Sequence, residues 1–275
     1  MTAIKTLKQF RNKFKVTKLL GEGGYGTVYL CVEISTRVLR AVKRLPNVKD
    51  TYTSLCPRRQ RQVPNEILFL ESISHPSIVK LLDVYFDEDT NTWFLVQEYH
   101  PGFEELFSYV NNNGPMTTRD SSSIVNQLIR VVMYLLHDRM IDHRDIKDEN
   151  ILYNPKTKQI KLIDFGSAAK LSSEPYTSFR GTDVYIPPEY YLNRKYSALP
   201  ATVWAIGCIS FILLEGECPF DNREAVKTFT SMSDFKDPKF LRQTKRVNFI
   251  EQCLNPSADK RIDLSDISAH PWLQI

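Results

Sequence analysis

The chain has 275 residues, a net charge of +4, 42% hydrophobic and 25% charged residues. That composition describes a soluble globular protein large enough for two lobes or two small domains, and excludes a disordered or fibrous chain. So small a positive charge gives no ground for a nucleic-acid or membrane partner.

Cys31, Cys56, Cys208, Cys218 and Cys253 are scattered, without a CxxC pair. This predicts reduced thiols in a cytoplasmic or nuclear protein. The opening MTAIKTLKQFRNKFKV lacks the apolar run of a signal peptide. It is basic and weakly amphipathic, and reads as a solvated lead-in rather than a membrane-surface helix.

Strands are expected at Val16–Leu20, Thr27–Ile34 and Val38–Leu45, where β-branched and aromatic residues alternate between polar or Gly-rich turns. A loop from Pro46 to Gln62 should follow, then a helix near Val63–Ser72 and strands at Ile78–Phe86 and Trp93–Glu98. His100-Pro101-Gly102 breaks the pattern. Beyond it Thr117-x-x-Asp120 is a capping box opening a helix whose apolar face is Ile124, Leu128, Val132, Leu135 and Leu136. Ala201–Leu214 is too short to span a bilayer and suits a helix buried on all sides. The fold class is therefore α+β. A β-sheet lobe with one main helix spans 14–98, a hinge spans 99–103, and a larger helical lobe spans 104–275, with a ligand cleft expected near the hinge.

Gly21-Glu22-Gly23-Gly24-Tyr25-Gly26 matches GxGxxG, a spacing that dinucleotide-binding folds share. There the last glycine opens a helix. Here Thr27-Val28-Tyr29-Leu30-Cys31-Val32 continues as strand, so the glycines turn a hairpin, either as an ordinary turn or as a backbone that approaches phosphate. In the strand that follows, Leu39, Ala41, Lys43 and Leu45 share a face. A lysine on such a face needs an anion. Glu66 borders the stripe Val63, Ile67, Leu70, and is the natural partner, whether for a structural ion pair or to position Lys43 against ATP phosphates.

Downstream, HRDIKDEN (143–150) precedes Asp164-Phe165-Gly166. Asp145 is the candidate base for a substrate hydroxyl, and Lys147 can neutralise a transferring phosphoryl group. Asn150 and Asp164 offer hard oxygen ligands for Mg²⁺. Asp164 follows the strand-like QIKLI, which suits a residue at a strand end pointing into a cleft.

With these motifs the chain resembles the eukaryotic protein kinase superfamily over nearly its whole length. Lys147 and Gly181-Thr182 resemble the serine/threonine type. The runs GEGGYGTVY, VPNEILFL, HRDIKDENIL, KLIDFGSA, YTSFRGTDVYIPPEYY, ATVWAIGC and HPWLQI resemble the Pim family most, with PAS-domain kinases next. The resemblance implies an ATP- and Mg²⁺-dependent kinase of protein Ser/Thr hydroxyls. It implies adenine contacts from Leu20, Val28, Ala41 and Leu152, a hinge at Glu98 and His100, a gatekeeper at Gln97 and a ribose contact at Glu105. It also implies an apolar spine of Leu70, Leu81, His143 and Phe165, and a structural Glu189–Arg261 pair.

Three departures stand out. Thr202-Val203-Trp204 replaces the Asp-x-Trp of many kinases, an acid that Pim kinases lack too. His100 stands where the Pim hinge has proline, which adds a backbone donor worth about 0.5–1.5 kcal/mol toward adenine. Ser178 and Arg180 replace acids, so Arg144 lacks an encoded anion, and phosphate on Thr177 or Ser178 is expected to supply it.

Glu105, Glu149, Glu217, Asp221 and Glu224 fall near the positions where basophilic kinases hold peptide arginines, and Thr182 near the acceptor residue. The run Arg58-Arg59-x-Arg61 reads as a solvated loop, with contact to a phosphorylated activation segment as the other reading. The expected protein acts on basic protein segments as a monomer, without nucleic acid or membrane. A pseudokinase scaffold is the alternative, opposed by the presence of Lys43, Glu66, Asp145, Asn150 and Asp164. A small-molecule kinase is opposed by the segment ending in Pro187-Pro188-Glu189.

Overall fold

Alternating β-branched strands joined by short turns occupy the first third of the chain, and amphipathic helices the rest. The computed structural model describes residues 4–24, 26–46, 53–57, 61–179, 182–235 and 244–274. They form two compact units, one of Met1–Pro101 with Asp164–Gly166, the other of Gly102–Ile163 with Ser167–Ile275.

The first unit contains β1 (Ile4–Thr6), α1 (Leu7–Lys13), β2 (Phe14–Gly23), β3 (Gly26–Glu33), β4 (Leu39–Pro46), β5 (Thr53–Cys56), β6 (Arg61–Pro64), α2 (Asn65–Ser72), β7 (Leu81–Asp87) and β8 (Thr92–Glu98). Its six-stranded sheet has the order β1-β7-β8-β4-β3-β2 and is antiparallel except for the parallel β1–β7 pair.

Two expectations change here. The N-terminal stretch is a strand and a helix rather than a solvated lead-in. Thr6 and Gln9 form a reciprocal capping box at the start of α1. Phe10 and Phe14, four apart, then bury against Cys31, Val42, Tyr85 and Val96. Capping and aromatic spacing outweigh the basic composition because the helix has a sheet face to cover. Since Val42 and Lys43 point to opposite faces of β4, this cluster fills the face that Lys43 leaves.

The expected loop Pro46–Gln62 contains the β5–β6 hairpin, in which Val63 pairs with Ser54. That pairing delays the start of α2 to Asn65. Arg61 lies in β6, bonded to Glu88 at 2.9 Å and stacked 4.6 Å over Phe86. Arg58 and Arg59 lie outside the described residues.

The second unit contains β9 (Glu104–Glu105), α3 (Leu106–Asn113), α4 (Thr118–Met133), a π-helical turn Tyr134–Asp138, β10 (Ile141–Asp142), β11 (Ile151–Asn154), β12 (Gln159–Leu162), β13 (Ala169–Lys170), α5 (Pro188–Asn193), α6 (Ala198–Glu215), α7 (Arg223–Thr228), α8 (Lys245–Cys253) and α9 (Leu264–Ile267). At α4 the Thr117 hydroxyl accepts from the Asp120 N–H, and the Asp120 carboxylate is taken by Lys158 at 3.1 Å. The expected apolar face of α4 and the turn after it is buried throughout.

α6 is long and apolar enough to cross a membrane, yet 83% of it is buried within the protein, as for a core helix. A Cβ at Gly207 would stand 2.7 Å from the Leu254 side chain, so α6 and α8 pack closer than any larger residue permits. The cysteines are free thiols, four of them buried, and burial lifts Cys31 to about 11.

Candidate active site

In the first unit, β4 carries Lys43 inward and α2 carries Glu66 to meet it. The Lys43 ammonium lies 2.8 and 3.0 Å from the two Glu66 oxygens and 2.7 Å from Asp164 Oδ1. Lys43 and Glu66 are about 95% buried. Burial opposes the charge on Lys43, but the two carboxylates outweigh it and hold the ammonium above its ordinary pKa. Asp164 has φ of 60°, a left-handed backbone that its own carboxylate stabilises by accepting from Gly166 N–H at 3.0 Å.

The glycine run forms the β2–β3 hairpin, with Gly21 opposite Val28 and Gly23 opposite Gly26. Val28 sits opposite Lys43 across β3–β4, so both point to the face that Ala41 shares. Gly26 alone among these glycines is sterically required. Its φ is 125°, and a Cβ there would stand 2.3 Å from the Arg44 carbonyl oxygen, whereas nothing lies within 4 Å at Gly21, Gly23 or Gly24. Gly26→Ala is expected to cost on the order of 2–3 kcal/mol in urea denaturation. Gly21→Ala, placed in open space, should stay within about 0.5 kcal/mol. Tyr25 lies outside the described residues.

Leu20 is exposed on β2, and Glu98 and His100 are half-buried, with His100 Nε2 at 3.1 Å from Glu98 Oε1. Gln97, Leu70, Leu81 and Phe165 are buried.

In the second unit, the loop after β10 holds Asp145 almost fully buried. The Asn150 amide nitrogen donates to the Asp145 carbonyl at 2.8 Å and to its Oδ2 at 2.9 Å. Lys147 donates to Thr182 Oγ1 at 3.0 Å, with Asp145 Oδ2 at 3.9 Å and Glu149 Oε1 at 3.7 Å. A buried carboxylate, a cation and a Thr hydroxyl from the activation segment therefore form one constellation. Gly181 lies outside the described residues.

Next to it, Tyr185 donates to Asp148 at 2.7 Å, and burial lifts the Asp148 carboxyl to about 6. His143 Nε2 is 3.1 Å from the Ile163 carbonyl. Leu152 pairs with Glu105 across β11–β9.

The expected open position of Arg144 takes a different form. The guanidinium donates to the Ser178 carbonyl at 2.6 Å and to the Tyr196 hydroxyl at 3.1 Å, and it lies 4.4 Å over the Tyr176 ring. Among the described residues no carboxylate forms an ion pair with it, but neutral groups hold it in place. Thr177 and Ser178 are exposed, and Arg180 lies outside the described residues. Two residues missed by sequence reasoning are Tyr176 and Tyr196. They join through paired backbone bonds of 2.8 and 3.1 Å, and no periodic pattern marks such an isolated bridge.

Glu189 and Arg261 form the expected bidentate pair at 2.9 and 2.6 Å. Of the acids read as substrate contacts, Glu105, Glu217, Asp221 and Glu224 are exposed and Glu149 is half-buried. Glu224 is drawn to Lys227 at 2.9 Å within α7.

The candidate metal ligands suit a hard divalent cation. In the second unit Asn150 spends its amide nitrogen on Asp145, which leaves its carbonyl oxygen as the remaining donor, and in the first unit Asp164 carries carboxylate oxygens. Among the described residues no cluster of three or more His, Cys, Asp or Glu forms a separate metal site.

A model of the protein kinase domain matches residues 14–273, so the chain belongs to the protein kinase family and its two units form that two-lobed fold. It is a serine/threonine protein kinase, using ATP with a divalent metal and acting on protein substrates. Among its relatives is serine/threonine-protein kinase pim-2 of Danio rerio, 34% identical over 275 residues that cover 97% of this chain and 86% of that one. Calcium/calmodulin-dependent protein kinase type I of Schizosaccharomyces pombe is 33% identical over 274 residues, 95% of this chain and 78% of that one. Serine/threonine-protein kinase prk-2 of Caenorhabditis elegans is 31% identical over 270 residues, 97% of this chain but only 59% of the relative.

Proposed function

We propose that this kinase transfers the γ-phosphate of magnesium-bound ATP to Ser or Thr in segments with Arg or Lys several residues upstream. The observation that carries the reading is the Lys147–Thr182 bond beside the buried Asp145 and its Asn150 support. Asp145 accepts the proton of the attacking hydroxyl, which is worth on the order of 10²- to 10⁴-fold. Lys147 balances negative charge on the transferring group. Lys43, fixed by Glu66, binds the ATP phosphates, and the Gly21–Gly26 hairpin lets backbone N–H groups approach them. Asn150 and Asp164 would hold Mg²⁺, which when bound neutralises phosphate charge.

Leu20, Val28, Ala41 and Leu152 are read as adenine contacts, His100 and Glu98 as the hinge, and Glu105 as the ribose contact. The exposed acids Glu105, Glu217 and Asp221 support the preference for basic peptides, together with Glu149 and with Thr182 near the acceptor. The chain is read as a cytoplasmic or nuclear monomer that engages neither nucleic acid nor membrane. Imaging of the tagged chain and size-exclusion chromatography test this.

The regulatory reading is graded. Because Arg144 is already held by neutral groups, phosphate on Thr177 or Ser178 would strengthen an existing arrangement rather than create it.

The test is phosphorylation of a degenerate Ser/Thr peptide library with Mg-ATP, using Asp145→Asn as the control. Transfer should exceed the control by at least about 100-fold and favour upstream Arg. No transfer above the control would leave the scaffold reading standing, and equal use of Arg-free peptides would remove the basic preference. Thr177→Ala with Ser178→Ala should keep basal transfer and lose any increment that an added upstream kinase produces.

A further inference from the structure

Asp145 follows a residue in an uncommon backbone state. Arg144 has φ of 63°, in the left-handed region that bulky side chains rarely occupy. Such a backbone persists only where its surroundings over-determine it. The Arg144 side chain is directed away to Ser178 and Tyr196, so it does not hold its own backbone.

The backbone is held from two residues upstream. Asp142 Oδ1 accepts the Arg144 N–H at 3.2 Å. Asp142 is 3% exposed and lies in β10, paired with Ala169 of β13. The Tyr176 hydroxyl, at the base of the activation segment, donates to the Lys170 carbonyl at 3.3 Å, beside the Ala169 that Asp142 faces across β10–β13. Burial lifts the Asp142 carboxyl to about 6, so the charge is kept against a desolvation penalty that a leucine at this place would not carry.

The surroundings explain why an acceptor is needed at this place. A partly open cavity of about 30 Å³, the room of one water molecule, is lined by Asp142, Arg144, Asp145, Thr202 and Ala205 among others. The α6 side of it presents only short side chains, Ala198, Ala201, Thr202 and Ala205. The core helix therefore supplies no carboxylate to this turn, and Asp142 is the acid that faces it.

We propose that Asp142 is a positioning residue for phosphoryl transfer. It locks the left-handed turn at Arg144 and thereby aims Asp145. The proposal rests on the reading of Asp145 as the base.

The cavity suggests the test. Asp142→Leu removes the acceptor while preserving bulk. Thr202→Asp places a carboxylate on the opposite wall of the same cavity, with one heavy atom more than threonine. Asp142→Leu should lower kcat about 10- to 100-fold with the KM values for ATP and peptide within about twofold, and should speed amide hydrogen exchange across residues 143–146. Adding Thr202→Asp should recover most of the kcat and the protection, and Asp142→Asn, which keeps an oxygen acceptor, should lose less than Asp142→Leu.

Unchanged kcat and exchange in Asp142→Leu would overturn the proposal. So would a loss that follows a falling melting temperature and is relieved neither by Thr202→Asp nor by Asp142→Asn. If the unaltered chain transfers no phosphate, the kinase chemistry itself fails. Hydrogen exchange at Arg144 then decides the role of Asp142 alone, faster exchange in Asp142→Leu supporting it and unchanged exchange overturning it.

Discussion

Lys43→Met should reduce peptide phosphorylation by roughly 10²- to 10³-fold, the usual cost of removing one preorganised charge from a phosphoryl-transfer site. The geometry around Lys43 makes the loss twofold in kind. The ammonium is 2.7 Å from Asp164 and 2.8 Å from Glu66, so it neutralises two carboxylates as well as offering a charge to phosphate. Without it the two acids face each other in a buried setting, and Glu66 is left uncompensated. The variant should therefore also melt earlier than the parent. Lys43→Arg separates the two effects. It keeps the charge, and so most of the stability, but a planar fork cannot reproduce a point ammonium shared by three partners. Steady-state kinetics and thermal melting of the pair read this directly. A fully active Lys43→Met protein would remove Lys43 from the chemistry.

Arg261→Ala should destabilise the protein by about 3–5 kcal/mol, the range for removing one partner of a buried pair, and lower the melting temperature by roughly 10 °C. The Arg261 side chain is only 1% exposed. Besides the bidentate bond to Glu189, it donates to the Pro200 and Asn255 carbonyls at 2.9 and 2.8 Å and stacks 4.9 Å over Trp204. Truncation thus orphans a carboxylate and two carbonyls and strips a ring of its cover. Glu189→Gln keeps a hydrogen-bond acceptor and should cost less. Equal melting temperatures for Arg261→Ala and the parent would show that α5 is not fastened by this pair.

Most of the strands and long helices were legible because their signals are local. Alternation marks β3, β4 and β8, and the 3.6-residue period marks α4. The β5–β6 hairpin was not legible, since its short strands lack alternation and pair only with each other. The N-terminal helix carried a signal, Thr6 with Gln9 and then Phe10 and Phe14, but its basic composition masked it. Lys43 and Glu66 could be paired from sequence because each sits on an apolar face that has one charge to satisfy. The place of Asp142 was not legible, since nothing local shows that β13 and a cavity beside α6 lie next to it.

The sequence by itself determined the chemistry. The order and spacing of Gly21–Gly26, Lys43, Glu66, Asp145, Lys147, Asn150 and Asp164 mark a phosphoryl-transfer enzyme, because the roles proposed for them depend on residue type and short-range geometry. Only the tertiary structure decided how that machinery is held. The side-chain partners of Arg144 lie 32 to 52 residues away in the chain, and Asp142, the acceptor of its backbone N–H, is itself set in place by pairing with Ala169 of β13. Pairings of that separation are set by packing of the whole unit, where no local period or spacing records them.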